Sequence, residues 1–317
     1  MNPRDAGSPH SRPWTILGVP IDSVSAPVGG DPFGTELAPA ALRGLGLVAR
    51  LGGSDAGDLD ARVVAPAVGP ARDPLSGIVG WPSVGTMTST VRAAVAALVG
   101  AGERPFVLGG CCALVMGAAA GTRDALGRIG LANVDGHVDL YDHRTSPTGE
   151  AADLPVAALL GIGWPALLAT LGDGPVLLPG DVVVIGARDE DERADLGDLP
   201  QRLGVTVHPP EAITPDPTAL GSGAAAQLSA DGRPFWLHLD LDVLDEVVFP
   251  ATDYLMPNGL DFGQLRDVLG PLGRSRALAG VSVGCYNPTK DPDGQYGAAL
   301  ADLLVDVFGP AATATAP

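Results

Sequence analysis

Short apolar runs alternate with longer segments rich in Ala and Leu along most of the chain. The apolar runs are rich in β-branched residues, which predicts strands buried on both faces. Strands are predicted at residues 14–19, 105–108, 129–134, 182–185, 205–207, 235–241 and 278–283. Helices are predicted at residues 39–47, 84–99, 154–160, 164–171, 191–203, 262–269 and 298–307. This alternation indicates an α/β fold with three layers, α/β/α, around a mainly parallel central sheet.

The 317 residues, of which 46% are hydrophobic, are enough to build one large core. Gly and Pro are numerous but are spread over the whole chain, which is typical of frequent turns in a globular protein. We therefore expect one catalytic domain over residues 14–310. The polar ends, residues 1–13 and 311–317, are expected to be flexible.

Net charge, cysteine content and apolar runs together limit the expected binding partners and the cellular location of the protein. A formal net charge of −18 repels phosphate backbones, so no nucleic-acid partner is expected. Three cysteines, two of them adjacent, make no disulfide framework and favour a reducing compartment. The N-terminal segment lacks the apolar core of a signal peptide, and the apolar runs are too short to span a bilayer. We expect a cytoplasmic protein without a membrane partner.

Chemically active side chains follow four of the predicted strands. In a parallel sheet the ligand site lies beyond the carboxyl ends of the strands. The four strand ends are followed by Gly-Gly-Cys111-Cys112, by Asp135-Gly-His137-Val-Asp139, by Asp240-Leu-Asp242, and by Gly-Cys285-Tyr-Asn-Pro. Chance placement would rarely produce this, so the sequence predicts one site at this edge of the sheet.

The two aspartate segments have the pattern of a metal site. On an extended strand end, alternate positions share one face, so Asp135, His137 and Asp139 are expected to converge, with Asp240 and Asp242 repeating the arrangement. Four carboxylates and an imidazole suit Mn²⁺, Fe²⁺, Co²⁺ or Zn²⁺. Two divalent ions would relieve the repulsion among the carboxylates. The structural alternative is that these residues are solvated loop acids.

These segments resemble a known family. Residues 133–139 and 238–245 are similar to the DAHxD and SxDxDxxDP signatures of the ureohydrolases, the arginase/agmatinase family. Residues 106–112 lie where that family has its GGDHS motif, and residues 185–189, 146–149 and 286–288 are also family-like. The resemblance covers about residues 14–308 in the same order. It implies an arginase-like fold, a homo-oligomer and a small-molecule guanidino substrate.

The resemblance also implies roles for the metal residues. Asp135 and Asp240 would bridge two divalent ions, usually Mn²⁺ in this family. Cys112 and Asp139 would complete the coordination of one ion, and His137 and Asp242 that of the other. Asp139 would be the catalytic proton acceptor for the attacking water. The products would be urea, or a substituted urea, and an amine.

Several positions depart from the family pattern. Cys112 stands at a histidine ligand position; a thiolate there favours softer ions such as Zn²⁺, Fe²⁺ or Co²⁺, and the alternative is an inert buried thiol. Cys285 replaces a glutamate that pairs with the guanidinium. Ala152 replaces a proton-shuttling histidine. Glu150 replaces a residue that helps to hold the substrate carboxylate, so an amine-bearing or neutral substrate tail fits better. An N-hydroxyguanidino substrate stays open.

The remaining substrate-binding candidates lie near these motifs. Thr148, Glu150, Asp153 and Cys285 are expected in the pocket because of the resemblance. Asp191 matches a substrate-contacting position but is equally typical of an acid at a helix N-terminus. Tyr141 and His143 follow the first metal motif closely, and they would line the pocket mouth unless His143 is a surface histidine.

The leading interpretation is thus a hydrolase acting on a guanidino C–N bond. Two alternatives remain open: a metal-binding scaffold that has lost catalysis, and an enzyme that cleaves another amide or imidate bond.

Overall fold

An eight-stranded sheet forms the centre of the computed structural model, which describes residues 12–21, 34–60, 72–190 and 195–310. Strands β1 to β8 are Trp14–Val19, Ser54–Asp58, Arg104–Gly109, Gly130–Val134, Val182–Ile185, Thr206–His208, Phe235–Asp240 and Leu278–Gly284. Their order across the sheet is β2-β1-β3-β8-β7-β4-β5-β6. Every neighbouring pair is parallel, which confirms the predicted α/β class and makes the sheet wholly parallel.

Helices cover both faces of this sheet. In the described part of the chain, α1 to α11 are Ala38–Gly44, Leu47–Arg50, Ser83–Gly100, Leu114–Leu126, Pro155–Leu159, Pro165–Thr170, Leu199–Leu203, Pro210–Ile213, Pro217–Leu228, Phe262–Gly273 and Gln295–Phe308. Short 3-10 turns occur at Thr35–Leu37, Ala151–Asp153, Pro179–Asp181, Ala230–Gly232, Leu241–Val243 and Pro288–Lys290.

Two hydrophobic cores lie on opposite faces of the sheet because successive strand residues point to opposite sides. On β3, Val107 belongs to one core, while Phe106 and Leu108 belong to the other. Helices α3 to α6 contribute to the first core, and α1, α2, α10 and α11 contribute to the second. The two cores clamp the sheet and fix its carboxyl edge, where the functional side chains lie.

Some predicted elements are wrong or incomplete. The strand β2 was missed because all five of its residues are exposed at the sheet edge and carry no apolar pattern. Helices α4 and α9 were also missed. The helix predicted at 39–47 is divided at Gly46, whose φ of 72° lies in the left-handed region. Of the helix predicted at 191–203, the described residues form only Leu199–Leu203.

Several predictions fall outside the described residues. These are Asp191, residues 1–11 of the expected flexible N-terminal segment, and the expected flexible end at 311–317. Within the described ranges, no helix is both long enough and apolar enough to cross a membrane.

Candidate metal centre

The four strand ends that carry chemistry are neighbours in the sheet. Strands β3, β8, β7 and β4 lie side by side, and they deliver Cys112, Cys285, Asp240 and Asp135 to the same carboxyl edge. The chain order of these strands gives no hint of this arrangement. Because the edge of a parallel sheet collects the residues that follow each strand, the side chains meet in one pocket.

The side chains of Asp135, His137 and Asp139 were expected to converge because they alternate along an extended strand end. This reason is wrong, because the segment that carries them is not extended. Strand β4 ends at Val134, the next residues form a bend, and Asp139 has a φ of 54°. The side chains nevertheless converge. His137 Nδ1 lies 2.8 Å from Asp242 Oδ2 and 3.7 Å from Asp135 Oδ1, and Asp139 lines the same pocket.

Backbone donors hold these carboxylates in place. The amide of His137 donates to Asp135 Oδ1 at 2.7 Å, and that of Gly136 donates to Asp242 Oδ1 at 2.9 Å. The amide of Asp242 donates to Asp240 Oδ1 at 3.0 Å. A Cβ at Gly136 would lie 2.9 Å from the Asp242 carbonyl oxygen, so the two aspartate segments approach more closely than a side chain would allow.

Arg188 fixes the segment that follows the second aspartate motif. Its Nη2 donates to the carbonyl oxygens of Asp242 at 2.7 Å, Leu244 at 3.1 Å and Met256 at 3.1 Å. Its Nε donates to the Pro257 carbonyl oxygen at 2.9 Å. One guanidinium therefore satisfies several carbonyls of this loop and holds the backbone of Asp242 in place.

The site has two chemically different halves. We call the group Asp135, His137 and Asp242 the carboxylate half, and the group Cys112, Cys285 and Asp240 the thiol half. Within each group, one ligand atom per residue lies within 4.8 Å of the others. In the thiol half, Cys285 Sγ donates to Asp240 Oδ2 at 2.9 Å. The predicted substrate residue Cys285 therefore lies directly beside Asp240, a candidate metal ligand.

A buried histidine between the halves was not assigned a role from the sequence. His238 offers a nitrogen within 4.8 Å of carboxylate oxygens of Asp135 and Asp240. Its Nδ1 lies 2.8 Å from Ser282 Oγ, which also accepts a hydrogen bond from Trp236 Nε1. Its Nε2 is buried and makes no hydrogen bond within the described structure. Its position two residues before Asp240 on a buried strand was the available signal.

The crowding of acids shifts their pKa values. Burial, and then the charge of Asp242, raise the pKa of Asp135 to about 6. Burial and neighbouring carboxylates raise the pKa values of Asp139 and Asp240 well above their ordinary range. Asp139 Oδ2 is buried without a hydrogen-bond partner in the described residues. Cations at this position would offset the repulsion, so the residues fit a divalent metal centre.

The two halves differ in charge. Burial alone would lower the pKa of His137, but the charge of Asp242 and hydrogen bonds to both carboxylates raise it well above normal. Burial alone would raise the pKa of Asp242, and its interactions with His137 lower it instead. Hydrogen bonds with Cys111 and Cys285, together with burial, raise the pKa of the Cys112 thiol. The carboxylate half thus contains an ion pair, whereas the thiols of the other half are neutral.

The pocket above the centre contains most of the predicted substrate residues. It is lined by Thr35, Cys111, Cys112, Asp135, His137, Asp139, Tyr141, Pro147, Thr148, Ala152, Asp153, Asp189, Asp240, Asp242, Asp253, Tyr254 and Cys285. Asp153 accepts hydrogen bonds from Ser146 and, at 2.7 Å, from Thr148. The Tyr141 hydroxyl donates to Asp195 at 3.1 Å.

Two predicted substrate residues do not line this pocket. His143 is half-buried and packs its ring against Trp164, with 5.4 Å between the ring centroids, so it lies beside the pocket wall rather than in the pocket. Glu150 is buried behind the wall and accepts a hydrogen bond from the Tyr254 hydroxyl. Glu150 therefore reaches the pocket only through Tyr254.

Several lining residues were not predicted. Asp253 and Tyr254 lie in the loop after the second aspartate motif, and Asp253 pairs with Lys290 Nζ at 2.8 Å. Asp189 is buried and accepts a hydrogen bond from the Val138 amide at 3.1 Å. Asp189 stands at the end of a family-like segment, which was a usable signal. The loop that carries Tyr254 has no such pattern.

Comparisons with known proteins agree with this geometry. The sequence profile of the Arginase family matches residues 12–309. The chain is 28% identical over 302 residues to an arginase from Bacillus caldovelox, covering 94% of this chain and 98% of that protein. It is 32% identical over 182 residues to an N(omega)-hydroxy-L-arginine amidinohydrolase from Streptomyces lavendulae, covering 56% and 60%. The crystal structure of the Bacillus caldovelox arginase superposes with a TM-score of 0.83 at 26% identity, covering 95% of this chain and 100% of that one.

The fold and the acid-lined strand edge thus define a hydrolase that acts on linear amidines. The chain belongs to the arginase family, as the resemblance of its aspartate motifs predicted.

Proposed function

We propose that the protein is a binuclear-metal amidinohydrolase that cleaves a guanidino or N-hydroxyguanidino C–N bond. The products are urea, or a substituted urea, and an amine. The observation that carries this proposal is the convergence of Asp135, His137, Asp139, Asp240 and Asp242 in one pocket. A non-catalytic scaffold would have no physical need for five such side chains at one buried point.

The proposed metal ligands follow from the two halves. Asp135 and Asp240, which lie near each other and near His238, would be shared by both ions. His137 and Asp242 would complete one coordination sphere, and Cys112 and Asp139 the other. When bound, two divalent cations, most simply Mn²⁺, would supply an acidified water and polarise the guanidino carbon.

Asp139 is the proposed proton acceptor. Its Oδ2 is buried, faces the pocket and makes no hydrogen bond to the described residues, so it is free to accept one from the attacking water. Ala152 lines the pocket where the resemblance places a proton-shuttling histidine, and an alanine side chain exchanges no protons. Proton transfer to the departing nitrogen therefore falls to Asp139 or to solvent.

The pocket rim favours a substrate that carries positive charge. Asp153 and Asp189 line the pocket, and none of its described lining residues is Lys or Arg. Asp253 also lines it, but its charge is paired with Lys290. We propose that Tyr141, Thr148 and Asp153 contact the substrate tail, with Glu150 acting through Tyr254. The name of the Streptomyces relative supports an N-hydroxyguanidino compound as one substrate to test.

A urea-release assay across a panel of guanidines, with metal content measured on the same samples, tests the proposal. We expect turnover of at least one guanidine by protein that contains two ions. Asp139→Asn should lower kcat by about 10²–10⁴-fold and weaken the binding of one ion, because it removes both the proton acceptor and a proposed ligand. Asp302→Asn, a surface aspartate paired with Arg50, is the matched control and should change neither.

Two outcomes would contradict the proposal. Bound metal without turnover on any guanidine would favour another amide or imidate substrate or a scaffold role. Unchanged activity in Asp139→Asn would remove the assigned proton acceptor.

A further inference from the structure

The thiol half contains more sulfur than the proposed function uses. Cys112 and Cys285 present their Sγ atoms, and Asp240 an oxygen, all within 4.8 Å of one another. Both cysteines line the pocket, and neither forms a disulfide. In the arrangement described so far, only Cys112 binds metal, which leaves a second thiol at the same point without a function.

The backbone holds the two thiols on this point. The amide of Cys285 donates to the Gly110 carbonyl oxygen at 2.7 Å, which ties the end of β8 to the loop after β3. A Cβ on Gly284 would lie 3.3 Å from Cys112 Cα, so the two segments are in close contact. Cys285 itself has a φ of 67°, a conformation that a non-glycine residue adopts only when its surroundings enforce it.

The hydrogen-bond geometry already approximates a ligand set. Cys285 Sγ lies 2.9 Å from Asp240 Oδ2, and the thiol proton occupies the space between them. In a tetrahedral zinc site with Zn–S bonds of about 2.3 Å, two sulfur ligands lie about 3.8 Å apart. The three ligand atoms lie within 4.8 Å of one another, so small rotations of the side chains would bring them onto one ion.

We propose that Cys285 is a metal ligand rather than a substrate contact, and that Cys112, Cys285 and Asp240 form a Zn²⁺ subsite. Each thiol releases its proton to solvent when the ion binds. Thiolates favour Zn²⁺ over Mn²⁺, whereas the carboxylates and the imidazole of the other half accept Mn²⁺. The inference rests on the proposed binuclear centre and assigns different metals to its two halves.

This assignment has a consequence for the substrate. A Cys285 thiolate engaged with zinc offers no carboxylate to pair with a guanidinium at this position. The cationic part of the substrate is then recognised by the other aspartates that line the pocket, Asp153 and Asp189.

Cobalt substitution and metal competition test the inference without any substrate. The reduced, metal-free protein is loaded with Co²⁺, and the near-ultraviolet sulfur-to-cobalt charge-transfer band is recorded. Because the band grows with the number of thiolates bound, Cys285→Ser and Cys112→Ser should each lower it by about twofold, and the double variant should abolish it. Cys111→Ser, the neighbouring thiol, is the matched control and should keep it.

The metals themselves are assigned on the wild-type protein. After incubation with one equivalent of Zn²⁺ per chain and an excess of Mn²⁺, and removal of free metal, we expect about one of each per chain. X-ray absorption at the zinc edge should show two sulfur neighbours at about 2.3 Å. This measurement needs no variant, so a misfolded Cys285→Ser protein would not prevent a decision.

Three results would overturn the inference. The first is an unchanged cobalt band in Cys285→Ser, and the second is a zinc edge with fewer than two sulfur neighbours. The third is a thiol titration of the isolated protein that finds two thiols fewer than expected, because Cys112 and Cys285 would then form a disulfide instead of binding metal. None of these readouts depends on turnover. Failure of the guanidine assay with an intact sulfur signal would therefore contradict the proposed reaction and leave the zinc subsite standing.

Discussion

The carboxylate half and the thiol half lie at the same edge of one sheet, yet they are stabilised differently. In the carboxylate half, His137 and Asp242 form an ion pair at 2.8 Å, and backbone amides donate to both aspartates. In the thiol half, neutral thiols share hydrogen bonds with one another and with Asp240. Opposite charges hold the side chains of the carboxylate half in place, whereas the cysteines of the thiol half become charged only when they lose their protons.

This difference between the halves arises from residue type and not from backbone position. The strands that support the halves are packed by the same two cores, so backbone position is common to both. What differs is the residue type at the strand ends. Sulfur at β3 and β8 and oxygen at β7 and β4 make the donor set change across the width of the pocket.

The largest expected effect comes from Asp240, which belongs to the thiol half and is proposed to be shared by both ions. Asp240→Asn removes a carboxylate charge that lies within 4.8 Å of Asp135 and of both thiols. We expect both metals to be lost and activity to fall by about 10³-fold or more, because neither ion keeps its shared ligand. Metal content by mass spectrometry and urea release measure this.

Asp302→Asn is again the control for Asp240→Asn. Retention of two ions, or of substantial activity, in Asp240→Asn would show that the halves do not meet at Asp240.

A second variant separates the halves. Asp242→Asn removes the ion-pair partner of His137 and a carboxylate of one half only. We expect the carboxylate half to lose its ion and activity to fall by about 10²-fold, while the sulfur-to-cobalt band stays unchanged. Absorption spectra and metal content on one sample provide the measurement.

The separation fails if Asp242→Asn also removes the sulfur band. In that case the two halves bind metal as one unit and have no separate metal preferences.

The sequence predicted the strand ends well and the surroundings poorly. Strands β1 and β5 were predicted to the residue because their apolar runs are buried on both faces. Helix α4 was missed because it is rich in Gly and Ala, which pack closely against the neighbouring helix α3 without a strong apolar pattern. Residues such as Tyr254 could not be placed because a long loop, held by Arg188, brings them to the pocket.

The contact between the two cysteines shows the same limit. Cys112 and Cys285 are far apart in the sequence, and they meet only because β8 is inserted beside β3. The local sequence pattern shows that both cysteines follow strands. It does not show that the two strands are neighbours, because the order of strands in the sheet depends on the fold of the whole chain. The family resemblance placed both cysteines at one site without giving the strand order, and it assigned Cys285 to the substrate because the family pattern has a glutamate there.

A third variant converts one half towards the other. Cys112→His replaces a thiolate with an imidazole and leaves Cys285 and Asp240 in place. With only one sulfur ligand, the thiol half should shift its preference from Zn²⁺ towards Mn²⁺ by about tenfold. Competition between the two ions, followed by metal analysis, measures the shift.

Cys111→His serves as the control for Cys112→His, since it places the same side chain one residue away. An unchanged metal ratio in Cys112→His would mean that Cys112 is a buried thiol and not a ligand.

Substitution of Tyr254, which lies beside the carboxylate half, is expected to have the smallest effect on metal binding and activity. Its ring meets the edge of the His137 ring, with 6.0 Å between centroids, and its hydroxyl donates to Glu150. Tyr254→Phe keeps the ring contact and removes the donor, so both metals should stay bound. Because Glu150 loses a partner that positions it behind the pocket wall, KM should rise about threefold with kcat nearly constant. This rise corresponds to ~0.6 kcal/mol of transition-state stabilisation.

Tyr296→Phe, in the core around Phe249, is the control for Tyr254→Phe. A fall in kcat at constant KM would instead assign the Tyr254 hydroxyl to the reaction itself, and loss of one metal would show that His137 depends on this hydroxyl for its position.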